Sequence, residues 1–169
     1  MTAIPRLSPW ILAALLLASA CDNSTNTFPP QRASNEEPQP NPGFVVLSSV
    51  HSVADTASRL EGLIKNKGLT LFTKIDHAAN ASAAGLSLPE TRVIIFGNPN
   101  AGTPLMAASR TIAIDLPQKI LIWKSGDNVQ LAYNSPSYLA SRHQVNGQDE
   151  RLKKIAGLLS SLAKEATSE

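Results

Sequence analysis

The chain alternates apolar and polar residues in two patterns, one with the period of a strand and one with the period of a helix. Five short apolar or β-branched runs predict strands at residues 44–49, 69–75, 92–96, 119–124 and 129–134. The run 92–96 has no polar alternation in its centre, which predicts burial on both faces or a central position in the sheet.

Two longer stretches repeat apolar residues at helical spacing and predict amphipathic helices. Ser52 caps the first and Gly68 ends it, while the second covers residues 150–166. Shorter signals predict a helix within 76–85 and another over 103–110, where threonine caps the first turn and proline occupies it.

Two loops complete the predicted domain. Residues 125–128 join the last two strands into a hairpin, which requires antiparallel pairing there, and residues 135–138 predict a turn. We find no internal repeat and no second domain. The elements together predict a single compact α+β domain over 44–169, in which an antiparallel or mixed sheet packs with the two longer amphipathic helices.

The N-terminus has the layout of a secretory signal peptide, with one cation, an apolar run and no acidic residue in positions 1–20. Small residues lead to Cys21, the single cysteine, and Leu-Ala-Ser-Ala-Cys resembles the lipobox of bacterial lipoproteins. The resemblance implies that Cys21 is acylated, whereas ordinary cleavage after Ala20 would leave a free thiol. Residues 21–43 are polar and proline-rich, and they predict a disordered tether.

These features predict a protein that is lipid-anchored in the bacterial envelope, with its domain in the periplasm. Asp22 resembles a signal for retention in the inner membrane and favours that membrane. Removal of the signal peptide removes only Arg6 among the charged residues, so 14 Lys and Arg face 13 Asp and Glu. A nearly neutral chain gives no indication of nucleic acid as a partner.

The segment IIFGNPNAGTPL raises the question of phosphate binding, because Gly97 and Gly102 have the spacing of the two P-loop glycines. The P-loop lysine is absent and Pro104 lacks a backbone donor, so a nucleotide loop is excluded. A helix N-terminus at Gly102 and Thr103 is the surviving functional interpretation, since free N–H groups there suit a small anion. The competing interpretation is a turn and a helix cap without a ligand.

The adjacent pair Asp76 and His77 offers the most suggestive acid–base chemistry, because histidine titrates near neutral pH. If His77 is a general base, Asp76 its orienting partner and the helix start at Thr103 a site for negative charge, the chain is a hydrolase or isomerase. A structural role for Asp76 as a helix cap is the alternative. Tyr133 and Asn134 are candidates for lining a ligand pocket.

A metal site would need three or four converging ligands, and the histidines show no His-x-His or His-x-x-x-His spacing. His77 and His143 are metal candidates only if the fold brings them together. With Met106 as a further ligand, a haem- or metal-associated accessory protein is another interpretation. No complete catalytic constellation is present and no cofactor is indicated, so we expect a module that binds a small ligand or a protein partner rather than an enzyme.

Many separate motifs occur in a single order from residue 76 to residue 136. They resemble the bacterial family known as domain of unknown function 302. The resemblance implies a compact α+β fold with an antiparallel sheet and a homodimer, but it implies no reaction. The motifs are Asp76-His77, Gly85-Leu86, Thr91, Phe96-Gly97-Asn98-Pro99, Gly102-Thr103-Pro104-Leu105-Met106, Asp115-Leu116-Pro117, Leu121-Ile122-Trp123 and Tyr133-Asn134-Ser135-Pro136.

Overall fold

A computed structural model describes residues 43–169, and the predicted signal peptide, Cys21 and nearly all of the tether lie outside these residues. The described chain forms one five-stranded sheet in the order β1-β5-β4-β3-β2, with every neighbouring pair antiparallel. The strands are β1 (Phe44–Ser49), β2 (Thr70–Asp76), β3 (Thr91–Gly97), β4 (Gln118–Ser125) and β5 (Asn128–Asn134). The predicted α+β class is confirmed, and the sheet is antiparallel rather than mixed.

Five α-helices accompany the sheet in the described part of the chain. They are α1 (Val53–Asn66), α2 (His77–Ala83), α3 (Pro99–Ala108), α4 (Pro136–Arg142) and α5 (Asp149–Thr167), and a 3₁₀ helix occupies Arg110–Ile114. The two long amphipathic helices were predicted, and both pack against the same face of the sheet. No helix among residues 43–169 combines the length and apolarity needed to cross a bilayer.

The core lies between that face and the two long helices. Leu60 and Ile64 from α1 and Leu159 and Leu162 from α5 are fully buried there. The spacing of four residues in α1 and three in α5 places each pair on one side of its helix, which explains why the apolar period predicted these two helices well.

Hydrogen bonds fix the start of α1 and the C-terminal end of α5. Ser52 caps α1 by accepting a hydrogen bond from the Asp55 amide at 3.1 Å. Near the C-terminus of α5, the Arg59 guanidinium donates to the carbonyl oxygens of Glu165 at 3.1 Å and Ser168 at 2.7 Å. Carbonyls at a helix end have no partner within the helix, so Arg59 fastens the end of α5 to α1.

Helix α3 begins four residues earlier than the sequence predicted, at Pro99 rather than Thr103. Asn98 is the cap, and its side-chain oxygen accepts from the Asn100 amide at 2.9 Å. Pro104 therefore lies inside the helix, where its missing N–H would leave the Asn100 carbonyl without its usual partner. Arg151 of α5 supplies the substitute, donating from Nη1 to that carbonyl at 3.1 Å.

The predicted turn at residues 135–138 is instead the start of α4. Ser135 accepts a hydrogen bond from the Tyr138 amide at 3.2 Å, and Pro136 takes the first helical position, where no donor is needed. The helix has only seven residues, too few for an apolar period to indicate it.

Candidate functional site

A cavity of about 220 Å³ lies between the end of β3, helix α3 and helix α5. Its wall is almost entirely apolar, and none of the described residues that line it is charged. The principal lining side chains are Leu69, Phe96, Leu105, Leu116, Ile155 and Leu159. Concave apolar sites with a few polar groups are the usual form of a small-molecule site.

Two glycines keep this cavity open. A Cβ at Gly97 would lie 3.4 Å from the Pro117 Cβ and 3.6 Å from the Phe72 ring, and a Cβ at Gly102 would lie 3.7 Å from a Leu116 methyl. Any larger side chain at either glycine must therefore extend toward the cavity wall. The two glycines that resembled a phosphate loop have a different role, because they leave space beside apolar groups.

An irregularity in β2 adds an aromatic ring to the same wall. The pairing of β2 with β3 shifts register between Leu71 and Thr73, so Phe72 is the extra residue of a β-bulge. Regular alternation would place Phe72 on the face of the sheet opposite to Leu71. The bulge instead allows Phe72 to line the cavity, where its side chain is 52% exposed.

The start of α3 has no free amide for an anion at its first positions. Pro99 has no N–H, the Asn100 amide bonds the Asn98 side chain, and the amides of Ala101 and Gly102 donate to the Asn98 carbonyl at 2.9 and 3.0 Å. The anion niche predicted at Gly102 and Thr103 is therefore not formed, because the helix starts earlier. Both residues nevertheless line the apolar cavity.

Asp76 is occupied by partners other than His77. One carboxylate oxygen accepts from the Ala79 amide at 2.9 Å, and the other accepts from Arg92 Nε at 3.0 Å. The Ala79 hydrogen bond, more than the Arg92 charge, holds the pKa of Asp76 below its usual value. His77 begins α2 in an exposed position and is absent from the cavity that Thr103 lines. The geometry gives no support to a shared catalytic site for these residues.

Tyr133 and Asn134 separate at the end of β5. Tyr133 is buried in the core, and it also lines a second cavity of about 340 Å³ with Ser135, Ser137 and Lys153. Burial raises the pKa of Tyr133, and the Ser160 hydroxyl has the smaller, opposite effect. Asn134 is exposed and is not part of that lining, so only one of the two predicted residues belongs to a cavity.

His143 is buried and belongs to a polar cluster that sequence reasoning missed. Its Nε2 is 2.6 Å from Asp115 Oδ2 and its Nδ1 is 3.1 Å from the Thr111 hydroxyl. Arg142 Nη1 lies 3.5 Å from the same Asp115 oxygen. Because an ionised carboxylate only accepts hydrogen bonds, the Nε2–H of His143 donates to Asp115 Oδ2.

This cluster supports the cavity wall rather than facing the cavity. Asp115 directly precedes Leu116 and Pro117, which line the cavity, so the bond to His143 fixes the segment that carries them. Among residues 43–169 no three His, Cys, Asp or Glu side chains converge as metal ligands, so His77 and His143 share no such group. Met106, considered above as a haem ligand, lines the apolar cavity.

Residues 45–162 match the family described as domain of unknown function DUF302. The chain belongs to the DUF302 family. A crystal structure of an uncharacterized conserved DUF302 protein from Bacillus stearothermophilus has the same fold, with a TM-score of 0.67 at 14% identity. The similarity covers 73% of this chain and 98% of that one.

Two Brucella proteins show closer sequence similarity to this DUF302 chain. A protein of Brucella suis biovar 1 named fluoride-specific ion channel FluC 1 is 40% identical over 136 residues, which is 80% of this chain and 52% of that protein. One from Brucella melitensis biotype 1, named FluC 2, is also 40% identical, over 48% of its length. The chain thus spans about half the length of the curated relatives it matches.

The pairing of Asp76 with Arg92 and Ala79 predicts a pH dependence of stability. We expect Asp76→Asn to lower the free energy of unfolding at neutral pH, because the asparagine keeps the helix cap but loses the charge. Since the folded-state pKa of Asp76 is depressed, its contribution is complete above the unfolded value of about 3.9 and is lost as pH falls through the folded pKa.

Urea unfolding between neutral pH and pH ~3 measures this difference. Asp127→Asn in the exposed hairpin turn is the control. A stability gap between wild type and Asp76→Asn that stays constant over this whole range would contradict the assignment.

Proposed function

We propose that this DUF302 protein is anchored by lipid in the bacterial envelope and binds a small, neutral, mainly apolar molecule in the cavity between β3, α3 and α5. The uncharged apolar lining of that cavity carries the proposal. Polar side chains in the lining come from Asn98, Thr103 and Gln118, and all three are uncharged.

The absence of charge in the lining selects against ionised ligands. A carboxylate or phosphate in this cavity would lose its hydration without gaining a counter-charge. The free-energy cost of burying such an unpaired charge is on the order of several kcal/mol. A neutral hydroxyl or amide needs only one or two hydrogen bonds, which Asn98 or Gln118 can offer. The expected ligand is therefore an apolar body with at most one neutral polar group.

The cavity volume limits the size of that ligand. At about 220 Å³ it is smaller than the roughly 300–1,000 Å³ of sites that enclose drug-sized molecules. A short alkyl chain or a single ring suits this volume, whereas a fused-ring cofactor or a haem does not.

The anchoring half of the proposal is supported by the N-terminal sequence. The apolar run in residues 1–20, the small residues before Cys21 and the polar segment 21–43 agree with a lipoprotein. A neutral periplasmic domain on such a tether would meet apolar molecules near the membrane surface.

A second candidate function is favoured by the Brucella relatives. Those proteins, named fluoride-specific ion channels, contain a region 40% identical to this chain in about half of their length. Domains that share a chain in some organisms often work side by side as separate chains in others. In this alternative, the DUF302 protein acts beside a separate fluoride channel.

The cavity proposal predicts that Gly102→Leu abolishes ligand binding. The larger side chain introduced by Gly102→Leu fills cavity space beside Leu116. The fold should persist, because replacing a glycine within a helix favours helical structure by up to about 1 kcal/mol. Gly157→Leu in α5 is the matched control, because a Cβ there meets no atom within 4 Å.

Straight-chain alcohols and the corresponding carboxylates at pH 7 are suitable probes, with binding followed by thermal shift and isothermal calorimetry. We expect the alcohols to stabilise wild type and Gly157→Leu, but not Gly102→Leu. Equal binding of the carboxylates, or full binding by Gly102→Leu, would overturn the assignment.

Anchoring through Cys21 predicts that Cys21→Ala removes the protein from membranes. Fractionation of host cells and intact mass spectrometry report partition and acyl mass, with Ser24→Ala in the tether as the control. The lipoprotein proposal fails if Cys21→Ala still partitions with membranes and carries acyl chains.

The channel alternative predicts that deletion of this gene lowers the fluoride concentration at which the host stops growing. Sodium chloride at equal concentration controls for osmotic stress, and the gene supplied in trans should restore tolerance. Unchanged fluoride tolerance in the deletion strain argues against this alternative and leaves the cavity proposal untouched.

A further inference from the structure

The apolar wall of the cavity between β3, α3 and α5 contains aromatic rings as well as aliphatic side chains. Phe72 and Phe96 both line the cavity, and they come from the neighbouring strands β2 and β3. Phe96 is 1% exposed and belongs to the core, whereas Phe72 is 52% exposed. One ring is therefore fixed within the core, and the other is available for contact with a ligand.

The β-bulge in β2 and the missing side chain at Gly97 bring the Phe72 ring to the cavity. A Cβ at Gly97 would lie 3.6 Å from Phe72 Cε2 and 3.4 Å from the Pro117 Cβ. Both rings therefore border the space that this glycine leaves open. A ligand in that space covers part of the exposed Phe72 ring and removes its apolar surface from water, which favours binding.

Burial of apolar area alone does not distinguish an aromatic ligand from a saturated one, because the hydrophobic effect is non-directional. Contacts between aromatic rings do distinguish them, since such a pair adds about two- to tenfold to an equilibrium constant beyond the area it buries. Met106 offers a second contact of this kind, because a thioether sulfur favours the edge of an aromatic ring. Its side chain lines the cavity, and its terminal methyl lies 4.0 Å from the Cβ position of Gly102.

The polar side chains of the lining have a defined place beside these rings. Gln118 on β4 is the cross-strand partner of Phe96, so their side chains stand next to each other on one face of the sheet. The side-chain oxygen of Asn98 accepts from the Asn100 amide, and its NH₂ group is the part that can donate to a ligand. A hydroxyl on a ring that rests against Phe96 would therefore meet the Gln118 amide.

The cavity volume agrees with a single substituted ring. An apolar cavity of about 150 Å³ is large enough to bind benzene, and this cavity measures about 220 Å³. The additional space accommodates a small substituent such as a hydroxyl group.

We propose that the preferred ligand of this cavity is a neutral molecule with one aromatic ring and one hydroxyl group, a ligand of the phenol class. This assignment rests on the proposed function, because it names the class of ligand for the same apolar cavity. Phe72 and Met106 select the aromatic ring, and Gln118 selects the hydroxyl group. These three side chains thus determine the specificity of the site.

The test compares phenol with cyclohexanol, which has the same number of ring carbons and one hydroxyl but no aromatic system. Both compounds are neutral at pH 7, since the pKa of a phenolic hydroxyl is about 10. Isothermal calorimetry uses the full chain with Cys21→Ala, a substitution that removes the predicted acylation site and with it the need for detergent. We expect phenol to bind at least about fivefold more tightly than cyclohexanol.

Two further substitutions in the same chain separate the contributions of the ring and the hydroxyl. Phe72→Leu keeps an apolar side chain but removes the ring, so phenol should bind only as well as cyclohexanol, whose affinity should change little. Phe44→Leu is the matched control, because Phe44 is a strand phenylalanine that is 36% exposed and lies outside the cavity lining. It should keep the full preference for phenol. Gln118→Leu should abolish the preference for phenol over toluene, which has a methyl group in place of the hydroxyl.

The comparison of phenol with cyclohexanol does not depend on the folding of any cavity variant, and circular dichroism confirms the fold of each variant. Equal affinities for the two compounds, or an unchanged preference in folded Phe72→Leu, overturn the aromatic assignment. If straight-chain alcohols bind and phenol does not, the aromatic assignment is wrong and the proposal of an apolar ligand stands. If none of these compounds binds, the proposed function fails as well.

Discussion

The packing of α1 and α5 against a single face of the antiparallel sheet is the interaction on which the rest of this structure depends. Each helix contributes one apolar stripe, and the two stripes meet the inward side chains of the strands, with Ile94, Ile120 and Leu131 fully buried. Burial of a large aliphatic side chain is worth about 1.5–3 kcal/mol. The helices therefore provide most of the core, and they cover only half of the sheet's surface.

The proposed binding cavity follows from this one-sided arrangement. On the covered side, α3 and α5 leave a space over the end of β3, where Gly97 and Gly102 contribute no side chain. On the opposite side, the described chain places apolar residues along all five strands without including them in the core.

Elements with a long apolar period were predicted closely from the sequence, whereas among the three shorter α-helices only α2 was predicted near its observed bounds. The five strands and the two long helices were predicted within one or two residues because their side chains alternate between core and surface. Helix α3 was placed too late, because Asn98-Pro99 is typical both of a turn and of a helix start. Helix α4 was missed because seven residues carry too little periodicity.

The polar chemistry was harder to predict, since it depends on distances that sequence order does not reveal. Asp76 and His77 are neighbours in the chain, yet Asp76 pairs with Arg92, sixteen positions away. His143 and Asp115 are 28 positions apart and lie 2.6 Å from each other. The cavity itself had only an indirect signal, two glycines that resembled a different kind of loop.

The contact between Arg151 and the Asn100 carbonyl has a consequence for how the cavity discriminates between ligands. It satisfies the carbonyl that Pro104 leaves free, and it also ties α5 to the first turn of α3, the two helices whose side chains line the cavity. The two helices that bound the space are therefore held at a set separation. A cavity with fixed walls accepts only ligands narrower than the separation of those walls. The interruption of α3 at Pro104 therefore contributes to the selection of ligands by width.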